Sequence, residues 1–233
     1  MILLDAGTTW AKIIGQKSSG MHDKLGAYFI KEENERSYYI MPSQELKNTG
    51  IKFDSAAGHM SKNFLKPDGI LENEFIALIK GFRKKIQDEN AVIIDMGSRD
   101  IKCALFKNGV FKDLDWNSSC SSSTGATIEM LLKFYSIKEE DLKYTPEKYS
   151  IACGIFGLEK IMDDTASGCP PETAVSKFIH GIAYNAWCFA KKPEKLYLSG
   201  GLCRNECFKT ALGAYCRVIP MGRFLIAEGL LPD

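Results

Sequence analysis

The sequence predicts an α/β protein made of two related lobes, 1–90 and 91–233. Three observations predict it. One hairpin pattern occurs twice, apolar residues recur at helical spacing after each copy, and a late strand runs into a glycine pair followed by another helix.

The first hairpin spans Ile2–Ile14, with Leu3-Leu4 on its first strand and Ala11–Ile14 on its second. The other spans Val92–Phe106, with Ile93-Ile94 and Cys103–Phe106 in the same places. Each reads as an apolar run, then Asp-x-Gly-(Ser/Thr), then a lysine four residues after the hydroxyl, then a second apolar run. Between the copies, strands are expected at Gly26–Ile30 and Tyr38–Met41. The apolar spacing of Leu71, Phe75, Ile76, Leu78, Ile79, Phe82 and Ile86 then predicts a helix. The rest of the 20–67 segment carries no functional signal. Past the second hairpin, Asn108-Gly109 is a tight turn into a strand at Val110-Phe111. Helices are expected at about 125–135, 155–163 and 172–190, a strand at Lys195–Ser199, and a helix at about 205–215.

Composition narrows the function classes. Thirty basic and 29 acidic residues give a formal charge of +1, so no global field draws the chain to nucleic acid or to a membrane surface. The start is too soon charged for a signal peptide, and no stretch reaches the roughly 18 apolar residues of a membrane span. A cytoplasmic location is expected. There, eight cysteines are not a disulfide framework, and thiolate ligation or burial must account for them. His22, His59 and His180 stand apart from any recognisable nucleophile. The run Arg83-Lys84-Lys85 ends a helix, where cations are favoured, and implies no nucleic-acid contact.

The turn Asp5-Ala6-Gly7-Thr8-Thr9 has what a nucleotide's phosphates require. Gly7 permits close backbone approach, Thr8 and Thr9 donate hydrogen bonds, Asp5 can hold Mg²⁺ through water, and Lys12 offsets charge. Asp and Gly between strands are also plain turn formers. The second copy, with Asp95, Gly97, Ser98, Asp100 and Lys102, favours the phosphate reading. Gly200 and Gly201 after Leu198-Ser199 are small enough for an adenosine to lie against backbone.

Together these motifs resemble the actin, sugar-kinase and heat-shock ATPase superfamily, which implies two ribonuclease-H-like lobes with a nucleotide cleft between them. Within it the chain resembles the ATP-dependent activators of 2-hydroxyacyl-CoA dehydratases and benzoyl-CoA reductases. Asp95, Gly97, Asp100 and Lys102 match that family's Asp-Ile-Gly-Gly-Gln-Asp-x-Lys. The stretch Asn117-Ser118-Ser119-Cys120-Ser121-Ser122-Ser123-Thr124-Gly125, with Glu129, stands where the family has Asn-x-x-Cys-Ala-Ala-Gly-Thr-Gly and a helical Glu. Cys153-Gly154-Ile155-Phe156-Gly157 resembles Cys-Thr-Val-Phe-Ala, and Gly200, Gly201 and Asn205 meet Gly-Gly-x-x-x-Asn.

The resemblance implies ATP/ADP and Mg²⁺ as ligands, with Asp5 and Asp95 organising the metal and the attacking water. It also implies a homodimer sharing one [4Fe-4S] cluster on Cys120 and Cys153 of both subunits. A low-potential donor would reduce the cluster, and a metalloprotein dehydratase or reductase would accept the electron. Both cysteines precede expected helices, whose amides and dipoles favour thiolates. Cys203 and Cys207 form at most a second half-site.

Ser98, Arg99 and Ser123 depart from the family's Gly, Gln and Gly. The family's Thr-Gly-Tyr-Gly-Arg run is missing, with only a remnant at Thr49-Gly50-Ile51-Lys52. Two alternatives stay open: a regulatory relative that binds nucleotide or cluster without turnover, and a small-molecule kinase of the same superfamily.

Overall fold

The computed structural model describes residues 1–117, 124–151 and 154–232. In chain order the elements are β1 (Ile2–Ala6), β2 (Trp10–Gln16), α1 (Met21–Leu25), β3 (Phe29–Glu33), β4 (Arg36–Pro42), β5 (Phe53–Ala57) and β6 (Leu65–Leu71). There follow α2 (Glu74–Lys85), β7 (Val92–Met96), β8 (Ile101–Lys107), β9 (Val110–Asn117), α3 (Gly125–Phe134), α4 (Gly154–Ala166), α5 (Pro171–Phe189), β10 (Lys195–Gly200), α6 (Glu206–Gly213), β11 (Arg217–Gly222) and α7 (Leu225–Gly229).

The chain divides into two units, Met1–Gln87 with Arg223–Asp233, and Asp88–Gly222. The tail from Arg223, expected with the second lobe, thus belongs to the first. Its α7 lies on α2 at a distance only glycine allows: a Cβ on Gly229 would stand 1.8 Å from the carbonyl oxygen of Ala77, and one on Gly81 2.0 Å from that of Leu225. Leu225 and Ile226 are buried in this contact, and Lys85 Nζ pairs with Glu228 at 2.6 Å.

The repeat extends beyond the hairpins to the whole sheet. The first unit's sheet has the order β3-β4-β2-β1-β5-β6, and the second unit's has β11-β10-β7-β8-β9. Setting β1, β2, β4, β5 and β6 beside β7, β8, β9, β10 and β11 gives the same strand order in both, with β3 extra. The directions agree as well. The hairpin strands pair antiparallel, while β5 joins β1, and β10 joins β7, in parallel. A parallel neighbour needs a crossover: α1, β3 and β4 lie in the chain between β2 and β5, and α3–α5 in the chain between β9 and β10.

Each unit has its own core. Leu4, Ala6, Ile13, Leu25, Tyr39 and Phe53 form the first, and Ile94, Met96, Ile128, Phe178, Ile182 and Phe208 belong to the second. Strand alternation then turns Asp5 and Asp95 to the opposite sheet faces.

Two expected elements differ. The helix expected from Leu71 starts at Glu74, because Asn73 caps it by accepting from the amides of Phe75 (2.8 Å) and Ile76 (3.4 Å), and Leu71 closes β6. Gly26–Tyr28 is a 3₁₀ turn, and the strand expected from Gly26 runs instead over Phe29–Glu33. Strands β5, β6 and β11 and helix α7 lack a strong sequence pattern. No helix among the described residues is long and apolar enough to cross a membrane.

Candidate functional site

Both hairpins set an aspartate opposite a lysine across the strand pair. Asp5 is in register with Lys12, and Asp95 with Lys102. Register partners project to one side of a sheet, so each carboxylate and its ammonium are neighbours by construction. Both aspartates sit just before the turn and are buried, 3% exposed for Asp5 and 6% for Asp95.

The pairs are nevertheless wired differently. In the first unit Lys12 Nζ meets Asp5 Oδ2 at 3.0 Å. In the second, Lys102 Nζ bonds Asp100 Oδ1 at 3.0 Å, and Asp100 Oδ2 accepts from the indole of Trp116 at 3.2 Å. Among the described residues no side chain pairs with Asp95. Asp100 is therefore a ligand of Lys102 in this structure.

The turns are held from behind by their carbonyls. Ser43 binds the first: its hydroxyl donates to Gly7 O at 2.6 Å and its amide to Thr9 O at 2.9 Å. In the second, the Thr124 hydroxyl donates to Ser98 O, while the amides of Gly125 and Ala126 reach Gly97 O at 3.3 Å and Ser98 O at 3.0 Å. Thr124 and Gly125 thus grip the second turn with the first amides of α3. A Cβ on Gly125 would come within 3.1 Å of Gly97 O. With the carbonyls engaged, the amides of Thr8, Thr9, Ser98 and Arg99 have no acceptor among the described residues. They remain available to an anion, as a run of free N–H groups in a turn does.

Glycine is required where the parallel strand ends beside each hairpin. Gly200 has φ 90°, and a Cβ there would lie 2.3 Å from Met96 O. Gly58 has φ 107°, and its Cβ would lie 2.4 Å from Ala6 O. These glycines bring backbone against the residue before Gly97 and Gly7. Gly201 is looser, with Met96 O at 3.8 Å from its ideal Cβ. Asn205 caps α6, accepting from Phe208 N at 2.7 Å while its amide reaches Glu139 Oε1 at 3.2 Å. Beyond it lies a cavity of about 440 Å³ lined by Glu139, Leu142, Tyr144, Arg204, Glu206 and Thr210, with neither glycine in its wall.

Sequence reasoning missed Ser43, Gly58 and Trp116. The small-residue run Ser55-Ala56-Ala57 ahead of Gly58, similar to Ser199 ahead of Gly200, was the available signal for one of them.

Cys120 and Cys153 lie outside the described residues. Cys203 and Cys207 are buried in the second core, where burial pushes the Cys207 thiol up, and no group of three or more His, Cys, Asp or Glu among the described residues could hold a metal.

The activator of 2-hydroxyisocaproyl-CoA dehydratase from Clostridium difficile, solved with bound ADPNP, matches 99% of this chain and 92% of its own at a TM-score of 0.75 and 18% identity. This chain has the dehydratase-activator fold. The (R)-2-hydroxyglutaryl-CoA dehydratase component A of Acidaminococcus fermentans matches 99% of this chain and 95% of its own, with a TM-score of 0.71 and 15% identity. The ethanolamine utilization protein EutJ of Carboxydothermus hydrogenoformans, at 0.54 and 12% identity over 98% of this chain and 88% of its own, is a more distant match. Identities this low speak for the fold alone. No protein-family model matches the sequence, and no curated protein does.

Proposed function

We propose that this chain is an ATP-dependent, iron-sulfur activator that delivers one electron to a partner dehydratase or reductase. The observation that carries the nucleotide part is the duplicated turn: a buried aspartate, a lysine in register with it, free amides, and carbonyls clamped from behind. Thr8, Thr9, Ser98 and the turn amides hold phosphate oxygens, and Lys12 and Lys102 offset their charge. Asp95, buried and without a partner among the described residues, suits a hydrated Mg²⁺, with Asp5 beside its own lysine as the second carboxylate. Gly200 and Gly201 bring backbone toward the adenosine, and Asn205 fixes the helix that follows.

The cluster part rests on the motifs around Cys120 and Cys153 and on the fold shared with two dehydratase activators. A [4Fe-4S] cluster on those cysteines from two copies of the chain would store the electron, with a low-potential donor upstream. Two measurements separate the parts. Wild-type protein is expected to bind Mg·ATP and turn it over, and Asp95→Ala to lose roughly 10²-fold or more in turnover. No binding by wild type removes the nucleotide role. After anaerobic reconstitution, about four irons per dimer are expected, lost in Cys120→Ala and Cys153→Ala. No iron in wild type ends the electron-transfer reading.

A regulatory relative without turnover is the second reading, favoured by Arg99. It stands where the family's glutamine would orient water, and its guanidinium lies 4.0 Å from Asp100. Nucleotide binding without hydrolysis would select it.

A further inference from the structure

The two hairpins share sequence pattern and register, yet their lysines have different partners, and the third strand supplies the cause. Across the first sheet the row reads Asp5, Lys12, Ile40, and across the second Asp95, Lys102, Trp116. Ile40 offers Lys12 no polar partner, and Lys12 sits on Asp5. Trp116 holds Asp100 Oδ2 through its indole N–H, and Asp100 Oδ1 holds the Lys102 ammonium. Asp100 and Lys102 are 8% and 5% exposed, so this chain of bonds is largely shielded from water. The turn constrains Asp100 further, because its carbonyl accepts the Gly97 amide at 3.1 Å and its Oδ1 would stand 3.3 Å from any Cβ at Gly97.

We propose that Trp116 is a positioning residue: through Asp100 it draws Lys102 away from Asp95, leaving the Asp95 carboxylate open to a cation while the Asp5 carboxylate carries its own lysine. The metal-bearing hairpin is then the second one. This rests on the nucleotide reading for its purpose, but the positioning itself is a property of the free protein. Trp116 is half exposed, so its ring can be changed without opening a core.

The test is acylation of Lys102 by N-hydroxysuccinimidyl acetate without nucleotide, quantified by peptide mass spectrometry. Trp116→Phe keeps the ring and removes the donor, and should speed Lys102 labelling about fivefold, the factor one net hydrogen bond is worth. Asp100→Asn should speed it as well, and the double variant no further. Trp116→His, which retains a ring N–H, should return the rate toward wild type, a rescue that simple loss of bulk would not give. In parallel, Mn²⁺ binding read by electron paramagnetic resonance should weaken in Trp116→Phe as Lys102 turns onto Asp95. Unchanged Lys102 labelling in both single variants, or fully additive effects in the double, overturns the proposal. Labelling and Mn²⁺ shifts as expected, in a protein that binds no Mg·ATP, uphold the positioning and remove the nucleotide reading.

Discussion

Replacing Gly200 with alanine tests the tight contact on which the second unit's site geometry depends. The residue has φ 90° and ψ −170°, a region essentially restricted to glycine, so alanine costs roughly 1–3 kcal/mol in backbone strain. Its Cβ would stand 2.3 Å from Met96 O, more than 1 Å inside ordinary contact, and Met96 lies on the central strand β7, which cannot shift alone. Forcing such an overlap costs about another 1–3 kcal/mol. The sum is on the order of 2–6 kcal/mol, against a domain stability of ~5–15 kcal/mol. Urea unfolding followed by tryptophan fluorescence reads it, preferably in a Trp10→Phe background, where Trp116 and Trp187 report the second unit alone. Gly213→Ala is the control: it ends α6 without positive φ, has no atom within 4 Å of the added Cβ, and should gain about 0.5–1 kcal/mol. A Gly200→Ala midpoint equal to wild type, at unchanged slope, would refute the claim that Met96 and the loop after β10 are in enforced contact.

Three further outcomes are expected. Asn205→Ala should destabilise the second unit by about 1–2 kcal/mol while Asn205→Ser largely restores it, since the cap to Phe208 N needs only a side-chain oxygen; ATP affinity, measured by calorimetry, should follow stability. The Lys195 ammonium and the Tyr197 hydroxyl hold the Asp88 carboxyl below the usual carboxylate range. Its stabilisation is therefore present above the ordinary carboxylate pKa and lost as pH falls through the depressed one, so Asp88→Asn should flatten the acid side of a stability–pH curve. Burial pushes the Cys103 thiol up to about 12, so at pH 8 it is neutral; mass spectrometry should find it unmodified by iodoacetamide in the folded protein and alkylated in urea, and rapid labelling of the folded protein would contradict its placement.

The hairpins and most long elements were legible because their signals are local. Alternation around Asp-x-Gly specifies a strand pair whatever surrounds it, and α5 carries helical spacing over nineteen residues. The strands β5, β6 and β11 were not legible. They pair in parallel across a crossover rather than through a tight turn, so their stability comes from neighbours rather than from their own pattern. The start of α2 was misplaced for the opposite reason. Apolar spacing ran on through Leu71, and the Asn73 cap that ends it is a single polar side chain.

By itself the sequence determined that one Asp-x-Gly-(Ser/Thr) hairpin occurs twice, which aspartate, glycine and lysine make each copy, and that an α/β fold carries them, because those facts follow from residue type and spacing. Tertiary structure alone decided that the duplication covers the whole sheet, that Ser43 and Thr124 clamp the two turns, and that the tail from Arg223 belongs to the first unit. It also decided that Lys12 and Lys102, alike in sequence, bond differently, since a lysine's partner is set by what the next strand places beside it: Ile40 in one sheet, Trp116 with Asp100 in the other.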